Sequence, residues 1–155
     1  MQRSTQPLTR IFAFCCLFIA LFAGSGCKKE NKKNEVKFNN ITATGVQEAP
    51  TPNNSTATAR LDATYDKDTK ILRYYITFSG LNPTMMHFHQ GAVGTAGGVV
   101  IDLKPASGGI TSPTSGSTRV LTSAEEAELL GGNWYLNLHS DTYPGGEVRG
   151  QLVAN

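Results

Sequence analysis

The sequence predicts an all-β domain, a β-sandwich or Greek-key barrel carrying one short helix. Three observations lead there. Charged residues make up only 17 % of the chain, and glycine is frequent, with 16 residues. Several short runs alternate apolar and polar residues at period two, the signature of half-buried strands. Clusters of Gly, Pro, Asn, Asp and Ser separate those runs at short intervals, as turns do.

Taken in order, residues 36–44 alternate loosely (Val36, Phe38, then Ile41) and read as a first strand. Residues 48–55 (EAPTPNNS) are turn chemistry. In residues 58–65, Ala59, Leu61, Ala63 and Tyr65 face one way while Thr58, Arg60, Asp62 and Thr64 face the other. A polar link, DKDTK, leads to Ile71–Ser79, with Leu72, Tyr74, Ile76 and Phe78 on its apolar face, so the two strands form a hairpin. Met85–Gln90 follows as a strand. Residues 91–98 form a Gly-rich link, and 99–103 is a further strand. Residues 104–116 read as a loop and 117–121 as a short strand. Thr122 and Ser123 before Glu125 and Glu126 form a capping-box pattern, so a helix runs to Leu130 and stops at Gly131 and Gly132. Trp134–His139 and residues 147–153 are two last strands joined by DTYPGG, where Gly145 and Gly146 are expected to supply positive φ angles.

The segment before this domain is of another kind. Arg3 and Arg10 flank a start without acids, residues 11–23 are uncharged and almost wholly apolar, and Gly24, Ser25 and Gly26 precede Cys27. This is the order of a secretory leader. Thirteen residues rise roughly 20 Å as a helix, short of a hydrocarbon core of roughly 30 Å. A cysteine after small residues resembles the lipobox of bacterial lipoproteins, although Gly24 stands where leucine is common. The organisation expected is therefore a leader at 1–26, a lipidated Cys27 with a flexible tether at 27–35, and the domain at 36–155. Acyl chains on Cys27 anchor the chain to a membrane without spanning it. Lys28 does not encode the common inner-membrane retention signal, which favours the outer membrane of a bacterial envelope.

Charge and cysteine usage exclude several functions. Loss of Arg3 and Arg10 leaves basic and acidic residues equal in number, and the lysines of 28–37 leave the rest weakly acidic. A weakly acidic domain without a basic patch does not suit nucleic acid. Cys15 and Cys16 leave with the leader and Cys27 is acylated, so thiol catalysis, cysteine metal sites and disulfides are absent from the domain. No Gly-x-Ser-x-Gly element occurs, and the Gly-rich run lacks the Lys-Ser/Thr ending of a phosphate loop.

Two motifs carry a family resemblance. One is His87-Phe88-His89-Gln90-Gly91 followed by the Gly-rich link and an apolar strand. The other is WYLNLHS at 134–140 followed by Pro144 and GGEVRGQL at 145–152. Together they resemble the CHRD domain, named for chordin, over roughly residues 36–153, with Met86 standing where alanine is usual. The resemblance implies an immunoglobulin-like or Greek-key barrel, distantly like copper-zinc superoxide dismutases. It implies no enzymatic activity, and it points to a binding or structural module toward an envelope or extracellular macromolecule.

All three histidines lie in these motifs. His87 and His89 share one strand face, and Asn137 and His139 share one face of another. If the strands are neighbours, three imidazoles converge, a donor set that suits copper or zinc. Glu147 is the candidate fourth ligand by motif, with Asp102 and Asp141 behind it. The competing reading has the histidines hydrogen-bonded to carbonyls or carboxylates inside the barrel. Gly146, Glu147, Arg149 and Gly150 form a structural motif, in which Glu147 and Arg149 pin the last strand through pairing with each other or with neighbouring strands.

Overall fold

The computed structural model describes Met1, residues 34–105 and residues 108–155. The expected leader apart from Met1, Cys27, and all of the tether except its last two residues lie outside the described residues. The strands are β1 (Glu35–Thr44), β2 (Thr58–Asp66), β3 (Ile71–Ser79), β4 (Met85–Gln90), β5 (Val99–Asp102), β6 (Thr114–Ser117), β7 (Trp134–His139) and β8 (Val148–Gln151), with one helix, α1 (Ser123–Leu130), and a 3-10 turn at Gly45–Gln47. The strands make one antiparallel sheet in the order β5-β4-β7-β8-β1-β2-β3-β6, curled into a half-barrel. The all-β class with one short helix is thus as expected. The chain runs up and down through β1, β2 and β3, crosses to β4 and β5 at the far end, comes back to lay β6 beside β3, and then places β7 and β8 between β4 and β1.

The loose alternation of β1 has a physical cause. Its pairing with β2 shifts register between Phe38 and Ile41, and Asn40 sits at φ 60°, a left-handed conformation that asparagine tolerates better than most residues. Asp62 Oδ1 accepts the Asn40 N–H at 2.7 Å, and Arg60 donates to the Asn40 side chain. This bulge returns Ile41 to the face that Phe38 occupies. The hairpin of β2 and β3 has the predicted bounds to within one residue, with Thr58 opposite Ser79 and Asp66 opposite Ile71.

One strand falls elsewhere than expected. Residues 114–116, read as loop, join Ser117 in pairing with Arg73–Ile76 as edge strand β6 (TSGS), while residues 118–121, read as strand, are irregular. TSGS has no apolar residue to signal a strand; backbone pairing to β3 makes it one. Thr118 then ends the pairing by accepting the Leu72 N–H at 3.1 Å through Oγ1.

Helix α1 has the capping box read from the sequence. Thr122 Oγ1 accepts the Glu125 N–H at 3.2 Å, and the Glu125 carboxylate accepts the Thr122 N–H at 2.8 Å. Arg119 grips the same carboxylate with both terminal nitrogens, at 2.7 and 2.6 Å. This contact holds the Glu125 carboxyl down to about 2.

The core fills the concave side with Phe38, Leu61, Tyr65, Leu72, Ile76, Phe88, Trp134, Leu136, Leu138 and Val148, all fully buried. All of its side chains come from residues 38–152, and residues 32–155 form one compact unit. The domain therefore carries its own core and folds on it. Among the described residues no helix is long and apolar enough to cross a membrane.

Candidate metal site

Strands β4, β7 and β8 lie side by side, and their register fixes two opposite faces. Met86 and Phe88 of β4, Leu136 and Leu138 of β7 and Val148 of β8 turn into the core. The other face is an array of polar side chains, because alternate residues of a strand share a side. Met85 stands opposite His139, His87 opposite Asn137, and His89 opposite Tyr135. Asn137 and Tyr135 in turn stand opposite Arg149 and Gln151. Every residue of β7 is buried nevertheless, because loops cover this polar face.

The Gly-rich link is the first of those loops, and side chains from the array hold it. Arg149 donates to Thr95 O at 2.9 Å and Ala92 O at 2.8 Å, and Gln151 donates to Gly91 O at 2.8 Å. Tyr135 accepts the Gly97 N–H at 3.1 Å through its hydroxyl. A Cβ on Gly97 would stand 1.5 Å from Gln90 O, so only glycine lets the loop return so close to β4. The Arg149 guanidinium lies 3.6 Å above the centre of the Tyr135 ring, whose other neighbour is the stacked His89 ring at 5.0 Å.

The three histidines converge. One ligand nitrogen from each lies within 4.8 Å of the other two, and His87 Nδ1 is 3.2 Å from His139 Nε2. Four-coordinate bonds of roughly 2.0–2.1 Å to zinc put neighbouring nitrogens about 3.3 Å apart, so this separation fits two ligands of one ion. The remaining nitrogens have partners of their own. His89 Nδ1 is 3.0 Å from Gly97 O, and His139 Nδ1 is 3.0 Å from Pro144 O. A carbonyl only accepts, so both Nδ1 atoms carry the proton and both Nε2 atoms present lone pairs. With the His139 Nε2 lone pair facing it, His87 Nδ1 donates the hydrogen bond between them, and ligation through Nδ1 moves the proton to Nε2, which lies 4.0 Å from Asp102 Oδ1. Metal-binding histidines are oriented by this kind of outer contact. The buried His89 Nε2 has no hydrogen-bond partner among the described residues.

Electrostatics favour the neutral rings that ligation needs. Burial pulls all three histidines below their ordinary pKa, opposed at His87 by Asp102, at His89 by the Gly97 carbonyl and at His139 by the Pro144 carbonyl. Mutual repulsion adds to the lowering at His89 and His139.

The other residues singled out in the sequence have different places. Glu147 is not grouped with the histidines: its carboxylate accepts from Ser55 Oγ at 2.6 Å and its backbone carbonyl from the Asn53 amide at 3.1 Å. Asp102 stands beside the cluster behind His87, and Asp141 is exposed in the last turn. Glu147 bonds to Ser55 and Arg149 to the carbonyls of the Gly-rich link, so each meets a loop, and among the described residues no bond joins them to each other. Of the two turn glycines only Gly146 has a positive φ, 137°. Gly150 of β8 pairs with Leu136 of β7.

Sequence reasoning missed Glu48, whose position in a turn gave no sign of burial. Asn137 donates to Glu48 Oε2 at 3.2 Å, while Glu48 Oε1 and Asn137 Oδ1 are buried acceptors without partners among the described residues. Burial pushes the Glu48 carboxyl up to about 7, against the Asn137 contact and the Arg149 charge. A proton on the carboxyl turns one of these orphaned acceptors into a donor.

Fold and site together define a small all-β module with loop-covered, pre-oriented imidazoles on one sheet face. The chain belongs to the CHRD-domain family, whose model matches residues 40–152. Both histidine motifs fall inside the matched span. Comparison with curated proteins and with solved structures gives no match.

Proposed function

We propose that this chain is a lipid-anchored protein of a bacterial envelope whose CHRD domain is a non-enzymatic binding module, holding one copper or zinc ion through His87, His89 and His139. The observation that carries the metal reading is the orientation of the three rings. His89 and His139 each hold a proton toward a backbone carbonyl and direct the other nitrogen into a space that His87 Nδ1 shares. A cluster kept only for packing has no need to leave a buried His89 nitrogen unpartnered. Anchoring rests on the leader-like segment and Cys27, and it fits a module presented to an envelope or extracellular macromolecule.

Calorimetric titration of residues 28–155 with zinc and with copper tests the metal reading, beside a variant with all three histidines changed to alanine. Stoichiometric binding that the folded variant loses is the expected result. Binding no tighter than about a millimolar, roughly 4 kcal/mol, overturns it and leaves the hydrogen-bonded histidine cluster as the better account. For the anchor, Cys27→Ser should move the full chain from the membrane fraction to the soluble fraction of a bacterial host. Retention of the variant in the membrane contradicts lipidation.

A further inference from the structure

We infer that the site is selective for cuprous copper and that the Met85 thioether is its fourth ligand. This rests on the three-histidine reading above and adds the metal's identity to it. Met85 is the direct cross-strand partner of His139 and precedes His87 by two residues on β4. It therefore shares the face that presents all three imidazoles. Directly opposed residues of an antiparallel pair hold their Cβ atoms about 4.5–5.5 Å apart, and methionine has three rotatable bonds with which to turn its sulfur toward its neighbours.

Packing does not account for this methionine. Its neighbour Met86 turns into the core and is fully buried, whereas Met85 stays 42 % exposed at the rim of the polar array. A large apolar side chain on that face contributes nothing to the hydrophobic interior, but it does put a soft donor beside the histidines.

Donor chemistry then discriminates between metals. Three neutral imidazoles and a thioether make an uncharged, soft set, and thioether ligands select Cu(I) over harder ions. The carboxylate that would shift the preference toward zinc, Glu147, is engaged by Ser55 instead. Zinc can bind the three imidazoles alone with water completing its shell, so removal of the sulfur should leave zinc affinity intact.

The test is anaerobic titration of residues 28–155 with Cu(I) against a competing chelator, and with Zn(II), in the parent domain, in Met85→Leu and in His87→Ala/His89→Ala. Leucine keeps the size and lacks the sulfur, and circular dichroism checks that each variant is folded. Expected is a loss of at least tenfold in Cu(I) affinity for Met85→Leu with zinc binding unchanged, together with a sulfur scatterer at the copper edge in the parent and none in the variant. Unchanged Cu(I) affinity in Met85→Leu, with both metals lost in the histidine variant, overturns the role of Met85 and leaves the histidine site standing. Equal losses for both metals in Met85→Leu overturn the selectivity. If the parent binds neither metal, the histidine reading fails and this inference with it.

Discussion

Glu48 gives the domain a pH response opposite in sign to that of its three histidines. Its carboxyl sits near 7 in the folded state against an ordinary 4.5, because burial disfavours the charge more than Asn137 and Arg149 favour it. A raised folded pKa means that the native state holds a proton which the unfolded chain releases. The stabilisation is complete below about 4.5 and is lost as pH rises through 7. Glu48→Gln keeps an amide donor and removes the titration. Chemical denaturation of the variant should show no such decline between pH 5 and 8, with a gain over the parent on the order of 2 kcal/mol at the alkaline end; parallel pH profiles would show that Glu48 is ionised throughout. Gly146 borders the same pair. A Cβ there would stand 2.7 Å from both Asn137 Nδ2 and Glu48 Oε2, at a φ of +137°. Gly146→Ala should therefore cost roughly 2–4 kcal/mol in urea denaturation, and a loss below about 0.5 kcal/mol would mean that the turn relaxes freely.

At the scale of elements, local chemistry and backbone pairing contribute separately. Helix α1 owes its start to Thr122, and Thr122→Ala should lower stability by about 1 kcal/mol through loss of the cap; an unchanged melting temperature would show that the Arg119–Glu125 contact alone holds the first turn. This helix was legible in full because its capping residues are a short-range signal. Strands β2 and β3 were legible for a similar reason, since alternation records burial on one face. Strand β6 was not, because TSGS records no burial and gains its structure from a partner about forty residues away. The bulge in β1 left a trace as broken alternation, but its place depends on the contacts of Asn40 with Asp62 and Arg60 across the pair.

The candidate site is a property of the whole molecule. The His-x-His spacing and the position of His139 named the three candidate ligands, and strand adjacency was the condition for their convergence. The oxygens that orient His89 and His139 belong to Gly97 and Pro144, residues whose backbone carries no signal of such a role until the sheet brings them together. Met85 had a readable signal, its place two residues before His87, but its value depended on the register with β7. An ion that bridges β4 and β7 binds the folded state only, so it should stabilise the domain by about 2.7 kcal/mol at a free concentration one hundred times its Kd. Thermal melts with zinc should rise accordingly and return to the metal-free value on adding a chelator; a melting temperature indifferent to both would separate metal from fold.

The most direct test of the central claim is nitrogen-15 NMR of the histidine side chains in residues 28–155, before and after one equivalent of zinc. The account predicts that His89 Nε2, His139 Nε2 and His87 Nδ1 shift together at that one equivalent, while Nδ1 of His89 and of His139 keeps its proton. Rings that titrate independently, or that shift only at large excess of zinc, would contradict a shared metal site.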